Sequence, residues 1–379
     1  MLKSIYNFRE EEMDMGCLYE EYMDCITDDY KSEKYEKRDD VYFFKLDKNG
    51  KRIKLGSGGF GTVYLGTDDG NNLVAIKIIP NEDDIDKNLL EEIGSLRKFD
   101  TDCGEELHSL ELEFDIAINA TKNMKINARN KILKQYKDSI AELEEKCNSI
   151  ISYIDVFESA FYGKPSVFLI SEYVDGEDLF DYFAKFAKKK VTIPVNILWD
   201  IFIQSMRALE FIHSKGYAHR DIKLENIMIG ENGMIKIIDF GLVCYNNNCH
   251  SGVGTKGYIP PEVYYDNTPN SLKSSQAHDI WSMGSVFYML TNHKYPFNHK
   301  KMGEIHDLED ANSTLKINPY DYDCKIYKNR YNECMEAIKY LINNIIDPMM
   351  RLNWEKRASA SQILESLIEY RKDHPLVQL

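Results

Sequence analysis

The chain has 379 residues, 43% of them hydrophobic, enough for one large domain or for two lobes that share a site. Lysine and arginine total 47 against 62 acidic residues, a net charge of −15, which argues against a protein built mainly to hold nucleic acid or an anionic membrane. No apolar run reaches the ~18 residues of a membrane span, and the opening MLKSIYNFREEEMD lacks the apolar centre of a signal peptide. A soluble, intracellular chain is expected, cytoplasmic with the nucleus left open. The eight cysteines show no CxxC pair and read as reduced thiols. Cys244 and Cys249, followed by His250, lack the second pair that a zinc site needs.

Residues 1–40 are acidic and tyrosine-rich, with Glu10, Glu11 and Glu12 in a row and few aliphatics, and read as a solvated extension or loosely docked helix. From Val41 the texture changes to short β-branched and aromatic runs broken by glycine: VYFFKL, RIKLGSGGFGTVYLG and NLVAIKIIP. These predict an antiparallel strand meander. Leu89, Leu90, Ile93, Leu96 and Phe99 fall at helical spacing. A polar stretch from about 101 to 148 follows, and its part KILKQYKDSIAELEEKC has helical period, so one or two added helices are expected there. Strand texture returns in SIISYIDVF and SVFLISEYV, and after Gly176 the chain reads as mostly helical around a loop-rich centre at about 217–262. Strands first and helices later predict an α+β protein: a small β lobe over 41–174, carrying the insertion, and a larger α lobe over 175–379.

Gly56, Gly58 and Gly61 in the run Gly56-Ser57-Gly58-Gly59-Phe60-Gly61 let a backbone bend closely over phosphates, where a side chain would intrude. The same spacing serves dinucleotide-binding turns, but those need a helix next. Here TVYLG continues as a strand. Lys77 ends the apolar strand Val74-Ala75-Ile76-Lys77, sixteen residues after Gly61.

With His219-Arg220-Asp221-Ile222-Lys223-Leu224-Glu225-Asn226 and Asp239-Phe240-Gly241 thirteen residues after Asn226, the chain resembles the protein-kinase family over about residues 50–370. Lysine two places after the aspartate is similar to its serine/threonine-specific branch. The resemblance implies a bilobal fold, a small antiparallel β-sheet N-lobe above a larger, mostly helical C-lobe. It implies that Asp221 accepts the proton of an incoming hydroxyl and Lys223 neutralises the transferring phosphoryl group. Asn226 and Asp239 become ligands for Mg2+, with Mn2+ as an alternative. Lys77 would hold the ATP phosphates and needs a helix carboxylate, for which Glu92 is favoured and Glu113 is the rival.

The same resemblance makes Leu55, Gly56, Ser57, Gly58, Gly59, Phe60 and Gly61 the phosphate-covering turn. Val63, Ala75 and Met228 would sandwich the adenine, Glu172 and Val174 would bond its edge, and Asp178 the ribose. Ser171 falls at the position guarding the space behind adenine. Pro260-Pro261-Glu262 closes the activation segment, with Arg357 (or Arg351) as the expected partner of Glu262, and Asp279 as the support of the catalytic-loop backbone. Thr255 would bond Asp221 and Lys223, and a phosphate on Ser251 would meet Arg220. The implied partners are a protein substrate with a Ser or Thr acceptor and a regulatory partner at the insertion. A scaffold without activity is the alternative class, as is a kinase for small molecules; the intact Lys77, Asp221, Asn226 and Asp239 and the segment from Gly254 to Glu262 weigh against them.

Overall fold

The computed structural model describes residues 33–36, 41–58, 61–80, 87–122, 124–245, 249, 252–264, 271–297 and 322–374. Alternation builds the first lobe. In β5 (Leu73–Pro80), Val74, Ile76 and Ile78 are buried against Phe168 and Ile170 of β7 (Lys164–Glu172), which leaves Ala75 and Lys77 on the opposite face. With β1 (Glu33–Glu36), β2 (Val41–Phe44), β3 (Lys54–Gly58), β4 (Gly61–Asp68) and β6 (Tyr153–Phe161) they form an antiparallel sheet in the order β1-β2-β4-β5-β7-β6, with β3 on β4. One correction falls here. Four residues of the acidic extension are a strand, because β2 offers an open edge with which Glu33–Glu36 pair residue for residue.

The helical expectation over 86–99 becomes a far longer element. Helix α1 (Lys87–Ala120) runs without a break into the polar stretch, since Gly104 alone costs only about 1 kcal/mol against so many good helix formers. Helix α2 (Ile126–Asn148) returns beside it: Phe114 meets Tyr136 and Cys103 meets Cys147, so the two run antiparallel. The chain then enters β6 through Ile150, which pairs with Ile237.

The second lobe contains a short sheet and a helical body. Strands β8 (Gly176–Asp178), β10 (Ile227–Gly230) and β11 (Ile235–Ile237) form one sheet, β9 (Tyr217–Ala218) and β12 (Cys244–Tyr245) another. Helices α3 (Leu179–Lys189), α4 (Val195–Ser214), α5 (Pro261–Tyr264), α6 (Leu272–Asn292), α7 (Tyr331–Tyr340), α8 (Asp347–Met349) and α9 (Ala360–Asp373) surround a continuous apolar core. Its centre is α4 against α6, where the Phe202 and Phe287 rings stack with centroids 3.7 Å apart. The architecture is α+β and bilobal. No helix among the described residues is long and apolar enough to cross a membrane.

The thiol expectation is overturned. Cys103–Cys147, Cys244–Cys249 and Cys324–Cys334 are disulfides. The helical hairpin brings the first pair to a Cα separation of 6.2 Å, and local turns bring the others to 5.2 and 5.8 Å, all within bridging range. Cys244 and Cys249 therefore bind each other, and His250 lies outside the described residues.

Candidate active site

The cleft face of the sheet follows from its register. Val63 pairs with Lys77, Ala75 pairs with Ser171, and Tyr153 pairs with Ser171, so these side chains share one face. Strands β3 and β4 close on Gly58↔Gly61, with Gly59 and Phe60 outside the described residues. Gly61 has φ +136°, where a Cβ would drive into the Ile78 carbonyl, so this position requires glycine. A Cβ at Gly56 or Gly58 would meet nothing within 4 Å: the hairpin overhangs open space. Leu55 at its start is exposed. Lys77 Nζ lies 2.5 Å from Asp239 Oδ1. The side chain of Glu92 lies outside the described residues, and its rival Glu113 is exposed on α1.

The loop between β9 and β10 is fixed from below. Asp279 of α6, fully buried, accepts the backbone N–H of His219 (2.8 Å) and of Arg220 (2.6 Å). Burial opposes its charge, but the bond from His213 (2.9 Å) and the surrounding imidazoles hold it below the usual carboxylate range. These bonds support Arg220 in a left-handed conformation, φ +65°.

Asp221 is the hub. Its Oδ2 accepts from Lys223 Nζ at 2.7 Å and from Asn226 Nδ2 at 3.1 Å, and its Oδ1 accepts from the Thr255 hydroxyl at 2.6 Å. Lys223 also reaches Thr255 Oγ1 at 3.1 Å. Asn226 Nδ2 donates to the Asp221 carbonyl as well, which turns its amide oxygen away from Asp221.

Asp239 sits opposite, again left-handed at φ +59°. Burial disfavours its carboxylate, yet Lys77 outweighs burial and holds it below the usual range. Arg220 donates through Nε to the Leu242 carbonyl (2.6 Å), so it grips the start of the activation segment. Ser251 lies outside the described residues. Arg357 rather than Arg351 meets Glu262, through two bonds of 2.5 and 2.7 Å, while Arg351 stays exposed.

The adenine-side residues are split. Met228 pairs with Asp178 across β10 and β8, and Val174 packs on the C-lobe core. The Glu172 carboxylate binds the Ser152 amide and Lys236 (2.6 Å). Asp178 Oδ1 caps α3 through the Asp181 amide at 2.8 Å, and burial raises this carboxyl above its ordinary range despite that bond. Sequence reasoning missed Lys236, His213 and Tyr153, whose hydroxyl accepts the Phe240 N–H at 3.3 Å. They carry no spacing signal, because their partners are distant in sequence.

The family described as "Protein kinase domain" matches residues 115–367, so the chain belongs to the protein kinase family. The match begins after the glycine hairpin and Lys77, which stand on geometry alone. CBL-interacting serine/threonine-protein kinase 20 of Arabidopsis thaliana is 31% identical over 209 residues, covering 54% of this chain and 42% of that protein. CBL-interacting protein kinase 31 of Oryza sativa subsp. japonica is 28% identical over 257 residues, 66% of this chain and 50% of that protein. Serine/threonine-protein kinase Nek3 of Mus musculus is 27% identical over 232 residues, 60% of this chain and 40% of that protein. The chain thus spans at most half the length of these relatives.

Proposed function

We propose that this chain is a serine/threonine protein kinase that transfers the γ-phosphoryl group of MgATP to protein hydroxyls. The observation that carries the reading is the Asp221–Lys223–Thr255–Asn226 cluster facing Asp239 and Lys77 beneath an overhang of glycines with open space below. That donor set suits a hard divalent cation: a carboxylate at Asp239, held ionised, and an amide oxygen at Asn226, whose nitrogen is committed to Asp221. Asp239 and Asn226 would hold such a cation, and the chemistry it would supply there is neutralisation of phosphate charge.

Asp221 accepts the proton of the incoming hydroxyl, with Oδ2 bonded to Lys223 and Oδ1 to Thr255, so its orientation is set before substrate arrives. Lys223 stands one bond away to meet charge that spreads during transfer. Lys77 orients the phosphates; Val63, Ala75 and Met228 line the base site, with Glu172 and Val174 at its edge and Asp178 near the ribose. Gly56 and Gly58 admit a close backbone approach. The α1–α2 hairpin is the place for a regulatory partner, supported by the exposure of Leu112, Ile116 and Ile126 near its turn.

Incubation with MgATP and a generic basic protein, beside an Asp221→Asn control, tests the reading. Phosphoserine or phosphothreonine that depends on Asp221 is expected; its absence from the native chain overturns the assignment.

A further inference from the structure

Three adjacent strands of the N-lobe present one row toward the cleft: Ala75 on β5, Ser171 on β7 and Tyr153 on β6. Two of the three are small. Tyr153 is the large member, half-buried against the C-lobe core, and its hydroxyl crosses to the other lobe to accept the backbone N–H of Phe240. On the other side of the same aspartate, the His219 ring bonds the Ile238 carbonyl at 3.0 Å, and it also packs on the Phe240 ring with centroids 4.6 Å apart. Asp221 N–H donates to His219 Nδ1, so Nε2 is the ring nitrogen that carries the hydrogen to the Ile238 carbonyl. Asp239 is thus a left-handed residue whose preceding carbonyl and following amide are each tied to an aromatic side chain, one from each lobe.

A non-glycine residue in that conformation is strained and persists only where its surroundings over-determine it. The His219 tie is internal to the C-lobe. Of these two backbone ties, Tyr153 is the one from the N-lobe sheet, whose Lys77 holds the carboxylate itself, and it enters from the strand that directly follows the α1–α2 hairpin. Between them, Ile151 N–H bonds the Ile237 carbonyl (3.0 Å) and Ile237 N–H bonds the Ser149 carbonyl (2.8 Å), so the root of the hairpin is laced to the strand that leads into Asp239.

We infer that Tyr153 is a positioning residue for metal binding: its hydroxyl, by accepting the Phe240 amide, holds Asp239 in the left-handed turn from which its carboxylate reaches into the cleft, where Lys77 meets it. The inference rests on the reading of Asp239 and Asn226 as Mg2+ ligands. It assigns Tyr153 no contact with nucleotide, and so separates it from residues that bind ATP directly.

Affinity for ADP, measured with Mg2+ and again in EDTA, tests this on the native chain and on Tyr153→Phe, which keeps the ring and removes the acceptor. Native protein binds ADP more tightly with Mg2+. In Y153F the gain from Mg2+ falls by about tenfold, the order expected when a buried amide loses its acceptor, while affinity in EDTA and the melting temperature hold. A Y153F variant with the full Mg2+ gain overturns the inference alone. Equal weakening in Mg2+ and in EDTA overturns it too, since that marks a packing role. Native protein without any Mg2+ gain overturns the reading of the site and the inference with it.

Discussion

Arg357 and Glu262, ninety-five residues apart, form a two-bond fork whose side chains are 1% and 2% exposed. The guanidinium also lies over the Trp281 ring, 4.9 Å from its centroid, and bonds the Ala277 carbonyl. A charge so enclosed is costly unless paired, so each partner makes the other tolerable. The fork fastens the end of the activation segment to the C-terminal helices. Arg357→Ala leaves Glu262 buried and unpaired, with an expected loss of about 3–5 kcal/mol in a denaturant melt. Arg357→Lys keeps charge but not the planar fork, and falls between.

Lys77 and Asp239 face each other across the cleft at 2.5 Å. If they serve the phosphates and the metal, Lys77→Met and Asp239→Asn each lower phosphoryl transfer by 10²-fold or more, the order found for single preorganised electrostatic contacts. Circular dichroism of both variants stays native. Full activity in either one removes that residue from the proposed machinery.

Thr255 tests the orientation of Asp221 more gently. Its hydroxyl donates to Asp221 and accepts from Lys223, so Thr255→Ala frees both while leaving them in place. The expected result is a fall of about tenfold in kcat with KM for ATP little changed, and substantial recovery in Thr255→Ser. A change confined to KM places Thr255 in substrate binding instead.

Stability has a pH signature from His278. This side chain is buried beside Glu262, Asp279, Arg357 and Arg220, and burial first of all, with Arg357 and Arg220 adding, lowers its pKa to about 4 against the raising effect of the two carboxylates. The folded state thus refuses a proton that the unfolded chain takes up near pH 6.5. Its contribution is complete above that pH and is lost as pH falls toward 4, on the order of 3 kcal/mol in all. His293 is lowered by burial and adds in the same direction. Asp239 and Asp279, both held low, lose their contributions only below the ordinary carboxylate range. Denaturant midpoints of the native chain and His278→Gln from pH 7.5 to 4.5 should converge as the pH drops; parallel curves exclude His278 as the source.

Much of the site was legible because its chemistry is local. Asp221, Lys223 and Asn226 lie within six residues, and Thr255 could be placed by counting back from Glu262. Side chains that act through distant neighbours left no such trace. Tyr153 sits in an apolar run where a tyrosine reads as core, and only the bulged register of β6 on β7 aims it at Phe240. A mostly helical course after Gly176 was readable, whereas the true length of α1 was not, since a change from apolar to polar composition looks like a boundary even where helix propensity continues. The cysteines misled because the expectation rested on the lack of a secretory signal and of a CxxC pair, neither of which reports whether two thiols meet in the fold.

That hairpin provides the last prediction. Three links secure its base: Arg207 to Glu145 at 2.5 Å, Lys215 to Glu106, and the Cys103–Cys147 bond. The two ion pairs are partly exposed, with about a third of each side chain of the Arg207 pair open to solvent, so each is worth roughly 0–1 kcal/mol after screening. The disulfide closes a forty-four-residue loop and removes far more freedom from the unfolded chain, about 4 kcal/mol on the loop-entropy account. The covalent link should therefore dominate. Cys147→Ser is expected to lower unfolding free energy by several times more than Glu145→Gln, and a reducing agent should shift the native chain toward Cys147→Ser while leaving that variant's own response to the two shorter disulfides. If reductant and Cys147→Ser both leave the denaturant midpoint unmoved, helix packing through pairs such as Phe114 and Tyr136 holds the hairpin without help from the bond.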